Sequence, residues 1–177
     1  VKAGDLLTIS PLIALTLAPV VVMLAAAFWR SHVLAFVLTL CGLGVTFGLL
    51  FVSASRASRV VTPLISMDAY SLFFIGLITA ATAVVVVLSR GYLKRLPLHP
   101  EEYYVLLLTA TLGGAALVAS TQFASFFLGL EILSVSLYAL IVYPVYRADA
   151  VEAAVKYLVL AGATSAFLIF GMALVYA

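Results

Sequence analysis

The run SFFLGLEILSVSLYAL, Ser125 to Leu140, holds one carboxylate, Glu131, among apolar and small polar side chains. Glu131 stands eight residues from Phe123 and twelve from Tyr143. At about 1.5 Å of helical rise per residue it lies deep in a hydrocarbon slab from either end, too far to snorkel. A carboxylate at such a depth costs at least about 2.5 kcal/mol, and residues kept there commonly mark ion or proton routes. Two chemistries can use it. Glu131 can alternate between ionised and protonated forms as a proton carrier. Alternatively it stays protonated, as a dry interior favours for a carboxyl group, and acts as hydrogen-bonding glue between helices. Ser134 and Tyr138 fall within about 60° of it on a helix and complete a polar stripe that serves either role.

The second charge within an apolar run is Lys156, in RADAVEAAVKYLVL. Asp149 takes the place of an N-cap there, Glu152 follows at capping-box spacing, and the helix is expected to begin near Ala150. Lys156 is about 8 Å of rise inside this run, so its ammonium can snorkel to the interface with Glu152, one turn back, as partner. The other reading turns Lys156 inward towards the fifth run, in a relay where its charge and that of Glu131 set each other's proton affinity. Antiparallel neighbours put Glu131 about 18 Å and Lys156 about 8 Å from the same end. That offset argues against a direct pair and leaves coupling through water.

The other polar residues read as structural. Asp68 precedes the third run as a helix cap, and Arg90, Lys94 and Arg95 orient the chain. Gly113, Gly114, Gly162, Ala163, Thr164 and Ser165 are small residues that let helices approach closely. Cys41, the one cysteine, reads as packing filler; it can form no disulfide within the chain and supplies no thiolate cluster. With His32 and His99 as the only histidines, both in connections, no haem or metal site is expected from this chain, and any redox chemistry lies elsewhere.

These residues are carried by a chain that is 66% hydrophobic and 9% charged over 177 residues, with a mean hydropathy of +1.30. No soluble domain of this size normally shows that balance, so the lipid bilayer is a partner. The basic residues lie mostly between apolar runs and form no face for nucleic acid. Six runs approach the roughly 20 residues that cross a hydrocarbon core: 11–28, 33–52, 67–88, 103–119, 123–143 and 151–175. The first is read as a span rather than a signal peptide ending near Ala25 to Ala27, because it leads straight into further spans. The expected fold is an all-α membrane protein, one transmembrane helical region over residues 1–177 built as a six-helix bundle, since a spanning segment must satisfy its own backbone. Arg30, Arg90, Lys94, Arg95 and Arg147 fall on one side, and Lys2, Arg56 and Arg59 on the other. The positive-inside tendency then puts both ends away from the cytoplasm. A start at Val1 and a stop at Ala177, directly after a span, read as a piece of something longer.

FLGLEILSVSLYAL, then Arg147, EAAVKY and SAFLIFGMALVYA, together with EEYYVLLLTATLGGAALVAS before them, closely resemble the subunit N family of bacterial NADH:quinone oxidoreductase, respiratory complex I. The resemblance runs over essentially the whole chain. It implies the amino-terminal portion of a longer antiporter-like fold in the bacterial inner membrane, in a subunit that translocates protons without a redox centre of its own. NADH, FMN, iron–sulfur clusters and quinone are then expected in partner subunits, and the other membrane subunits of complex I are expected as neighbours. Glu131 matches the family's fifth-helix glutamate, and Lys156 the lysine carried in the sixth helix. Sodium/proton antiporter and membrane hydrogenase subunits share the glutamate block, and a purely structural assembly subunit is a further alternative. Relatives commonly carry a proline five residues after the glutamate, where this chain has Ser136. A proline there would remove a backbone donor and bend the helix.

Overall fold

The computed structural model describes residues 3–55, 59–95, 99–144 and 146–176. Six helices follow one another: α1 (Ala3–Phe28), α2 (His32–Ala54), α3 (Ala69–Leu93), α4 (Pro100–Ala119), α5 (Phe123–Val142) and α6 (Ala148–Tyr176). All six are long and apolar enough to cross a membrane. The result is the all-α membrane bundle expected from the hydropathy pattern.

α1 begins eight residues before the boundary expected at Pro11 and carries both Pro11 and Pro19 in its interior. A proline leaves the carbonyl four residues earlier without its helical donor, and hydroxyl side chains can supply one inside a membrane. For Pro11 that carbonyl is Leu7. Ser10 Oγ donates to it at 2.8 Å, and the fully buried Ser53 Oγ of α2 reaches it at 3.3 Å and the Thr8 carbonyl at 3.1 Å. The helix therefore runs through the proline.

α3 starts two residues later than expected because Asp68 is its N-cap. The Asp68 carboxylate accepts from the Ser71 backbone N–H at 2.8 Å, and Ser71 Oγ accepts from the Asp68 N–H at 2.9 Å, a reciprocal capping box. The Ser71 backbone donor, above all, holds the Asp68 carboxyl below its ordinary range. At α6 the expected cap is corrected. The helix starts at Ala148, and the Arg147 carbonyl accepts from the N–H groups of Ala150 and Val151. The Asp149 carboxylate is taken by the Arg147 guanidinium instead, and Glu152 is drawn to Lys156. Two local ion pairs thus displace the capping box.

A small antiparallel hairpin, β1 (Arg59–Thr62) and β2 (Ile65–Met67), fills part of the α2–α3 connection, with register Arg59↔Met67, Val60↔Ser66 and Thr62↔Ile65. Its Pro63–Leu64 turn docks on the α4–α5 connection. Thr121 Oγ1 donates to the Pro63 carbonyl at 2.6 Å, and the Leu64 carbonyl accepts from Thr121 N–H at 3.1 Å and Ser125 Oγ at 2.8 Å. At the opposite end, Tyr143 Oη donates to the His99 carbonyl at 2.7 Å, Tyr104 Oη pairs with His32 Nε2 at 2.9 Å, and Arg90 lies 4.4 Å over the Phe36 ring. The connections therefore alternate between two ends, as six spans require. Lys2 and Arg56, two cations in the orientation argument, lie outside the described residues.

α4 is the hub, packing against α1, α2, α3 and α5. Its Tyr104, Leu108, Thr111, Ala115 and Ala119 recur every three or four residues as buried positions. Thr111 Oγ1 meets Thr82 Oγ1 of α3 at 2.9 Å. The α4–α5 crossing is made backbone to backbone at two glycines. A Cβ on Gly113 would fall 2.5 Å from the Leu133 nitrogen, and one on Gly129 would fall 2.8 Å from the Leu117 nitrogen. Gly114 only touches Ile78, and Gly162 faces open space, so the expectation of close packing is met at Gly113 and not at Gly162. Cys41 is likewise exposed on the outside of α2 rather than packed between helices.

Candidate functional site

Glu131 sits in the second quarter of α5, two residues past Gly129, where the glycine crossing brings α4 and α5 together. That crossing fixes the rotation of α5. Gly129 and Ser136, seven residues apart and hence almost aligned on a helix, are its buried positions and face α4. Ser136 Oγ donates to the Ile132 carbonyl at 2.7 Å and reaches Thr109 Oγ1 of α4 at 3.0 Å. Relatives' proline would carry no hydroxyl; here Ser136 joins the two helices and leaves α5 a continuous helix.

With α4 fixed on one side, Glu131 points elsewhere. It is half-buried, and its Oε1 accepts from Ser165 Oγ of α6 at 2.6 Å. On its other side it lines an apolar groove of about 440 Å³ with Leu106, Thr109, Leu128, Ile132, Val135 and Ser136. Among the described residues no cation pairs with it. Ser134 and Tyr138, the expected stripe, are also half-buried. The arrangement is a carboxyl group held by one neutral hydroxyl at mid-span, on a residue that also borders a greasy groove.

Lys156 is placed apart from Glu131. The less exposed residues of α6 are Ala150, Ala154, Tyr157, Ala161, Ser165, Leu168 and Met172, a stripe at steps of three and four that marks the face towards α5. Lys156 precedes Ser165 by nine residues, which on an α-helix is about 180° of rotation and about 13 Å of rise. Its ammonium is on the far side of α6, with its side chain 70% exposed, paired with Glu152 Oε1 at 2.5 Å. Among the described residues Lys156 does not face α5, because the small residues that let α6 approach α5 lie on the opposite stripe. Ser165, read from the sequence only as a packing residue, is the group that touches Glu131. The signal for it was the recurrence of Ala154, Ala161 and Ser165 at helical spacing.

The remaining polar cluster, His32 with Tyr104 and Tyr143 with His99, ties helix ends together. Among the described residues no three His, Cys, Asp or Glu side chains converge as a metal site would require.

Fold and site thus define a polytopic helical membrane module built around an intramembrane carboxyl group. Residues 120–177, which include Glu131, Lys156 and Ser165, match the family described as NADH:quinone oxidoreductase/Mrp antiporter, transmembrane region. Along nearly its whole length the chain is similar to proteins named NADH-quinone oxidoreductase subunit N. It is 55% identical to that of Nitrosospira multiformis over 98% of this chain, and 47% identical to that of Methylococcus capsulatus over 94%. To that of Ectopseudomonas mendocina it is 39% identical over 99%. Respiratory complex I from Thermus thermophilus, solved with bound aureothin, contains a chain that superposes with a TM-score of 0.80 at 27% identity, covering 94% of this chain and 36% of that one. The likeness to the subunit N proteins of NADH-quinone oxidoreductase takes in the glutamate and lysine blocks. It spans about a third of the length of the curated relatives it matches.

Proposed function

We propose that this chain is part of a proton-translocating membrane subunit of a bacterial NADH:quinone oxidoreductase, multi-pass in the inner membrane, with both of its ends on the non-cytoplasmic side. It performs no redox step; NADH, FMN, iron–sulfur clusters and quinone belong to partner subunits, and other membrane subunits pack beside it. Glu131 is the proton carrier. The observation that carries this reading is a half-buried mid-span carboxyl group whose described partner is a single neutral hydroxyl. Ionisable groups held inside a membrane commonly mark proton routes, and this one has no cation among the described residues tying it to a structural pair.

Lys156 takes part through its charge rather than by handing a proton to Glu131, since it lies about 180° around α6 from Ser165, the residue that touches Glu131. Opening the Glu152–Lys156 pair frees a positive charge on the outer face of α6, and closing it withdraws that charge. In this way the two ionisable groups of the relay act from opposite sides of one helix.

The test is NADH-driven proton pumping in membranes containing the assembled enzyme. Glu131→Gln is expected to abolish pumping while assembly and NADH oxidation with an artificial acceptor persist, and Glu131→Asp is expected to be milder. Undiminished pumping in a normally assembled Glu131→Gln enzyme refutes the carrier role and leaves the structural-subunit reading. Lys156→Arg should pump better than Lys156→Met; equal pumping reduces Lys156 to an interface anchor. Cation-dependent transport without NADH would point instead to a sodium/proton antiporter.

A further inference from the structure

Most hydroxyls on these helices turn back on their own backbone. Thr39 Oγ1 donates to the Ala35 carbonyl at 2.7 Å, Thr79 Oγ1 to Ile75 at 2.7 Å, and Thr46 Oγ1 to Gly42 at 2.9 Å. Thr164, the immediate neighbour of Ser165, does the same, donating to the Ala161 and Leu160 carbonyls at 2.8 and 3.1 Å. That is the default inside a membrane, where a hydroxyl without water takes the nearest carbonyl. Ser165 departs from it. Its hydroxyl leaves α6 and donates to the Glu131 carboxyl at 2.6 Å.

The long Glu131 side chain covers most of the distance between α5 and α6, and the short Ser165 side chain meets its end. Ala154 and Ala161, on the same stripe of α6, make the approach of the two helices possible. Lys156 and Glu152 are turned away, so among the described side chains of α6 Ser165 is the one that reaches the carboxyl group.

We infer that Ser165 is a positioning residue for the proton carrier: its hydroxyl fixes the Glu131 carboxyl against α6 and so sets the orientation in which it gives and takes its proton. This inference rests on the carrier reading of Glu131. The hydroxyl donates while Glu131 is ionised, and it can rotate to accept when the carboxyl group carries its proton, so it holds the side chain in both states. No bond other than this hydrogen bond forms or breaks at Ser165.

The experiment compares Ser165→Ala and Ser165→Thr in membranes containing the assembled enzyme, with Glu131→Gln in parallel. Two quantities are read: the NADH-driven pumping rate, and the infrared carbonyl band of protonated Glu131, identified by its loss in Glu131→Gln. Ser165→Ala is expected to slow pumping by about tenfold, the effect of one hydrogen bond to a charged group, with a displaced carbonyl band and unchanged NADH oxidation with an artificial acceptor. Ser165→Thr, which keeps the hydroxyl, is expected to keep both the rate and the band. Normal pumping in Ser165→Ala, where Glu131→Gln is dead, overturns the inference and leaves the carrier reading standing. If Glu131→Gln itself pumps normally, the carrier reading is what has failed. The band then decides Ser165 alone: unmoved in Ser165→Ala it overturns the assignment, and displaced it sustains Ser165 as the anchor of the carboxyl group.

Discussion

Gly113→Ala is the sharpest test of how the bundle is held. The new Cβ would lie 2.5 Å from the Leu133 nitrogen, 2.9 Å from its Cα and 3.0 Å from the Gly129 carbonyl oxygen, all of them backbone atoms that cannot swing aside. Relief to an ordinary contact of about 3.5 Å needs α4 and α5 to part by about 1 Å at the crossing. The Ser136–Thr109 bond spans the same seam at 3.0 Å, and such a parting carries it beyond hydrogen-bond length. Overpacking of this kind costs about 1–3 kcal/mol, and an interhelical hydrogen bond in a membrane contributes about 0.6 kcal/mol. A loss of about 2–4 kcal/mol follows. The assay is reversible unfolding of the chain in mixed micelles, followed by helicity, with Gly44→Ala as control because a Cβ there meets nothing within 4 Å. Ser136→Ala should then cost nothing further in the Gly113→Ala background, since its bond is already broken. A Gly113→Ala protein within about 0.5 kcal/mol of the Gly44→Ala control would refute the glycine crossing as the determinant of the α4–α5 seam.

Ser10→Ala with Ser53→Ala should destabilise the same preparation by about 1–2 kcal/mol, because the Leu7 carbonyl loses both of its hydroxyl donors. In a Pro11→Ala background the penalty should shrink, since residue 11 then donates to Leu7 itself; an unchanged penalty would mean that the hydroxyls do something other than compensate the proline. Asp68→Ala should cost about 1 kcal/mol at neutral pH through loss of the α3 cap. The folded-state value of Asp68 is depressed, so its contribution is complete above the ordinary aspartate value of 3.8 and is lost as pH falls below that through the folded value. The gap between wild type and Asp68→Ala should therefore close in acid, and a gap that widened there would contradict the cap geometry.

The spans were legible because a hydrocarbon slab demands long apolar runs whatever the tertiary packing. Asp68 was legible too, since Asp68 and Ser71 stand at cap spacing within four residues. What escaped depended on partners distant in sequence. Pro11 looked like a helix boundary because its rescue comes partly from Ser53 on another helix. The hairpin was hidden by its brevity: Val60, Val61 and Thr62 are β-branched, but four residues beside charges and a proline read as a turn. Asp149 misled because its spacing to Glu152 suited a cap, while Arg147 and Lys156 offered both carboxylates stronger partners. The face of Lys156 was undetermined until the phase of α6 was known, and that phase is written in Ala154, Ala161 and Ser165 rather than in any charged residue.

The Pro63–Leu64 turn acts as a height gauge for the carboxyl group. It grips Thr121 and Ser125 through two backbone carbonyls just where α5 starts, and Glu131 follows six residues, about 9 Å of rise, beyond Ser125. A surface loop between two other helices thereby sets how deep in the slab the Glu131 carboxyl group is suspended. Substitutions in that loop that lift or lower the turn would retune Glu131 without touching it, and a search for functional positions confined to its neighbourhood would pass them by.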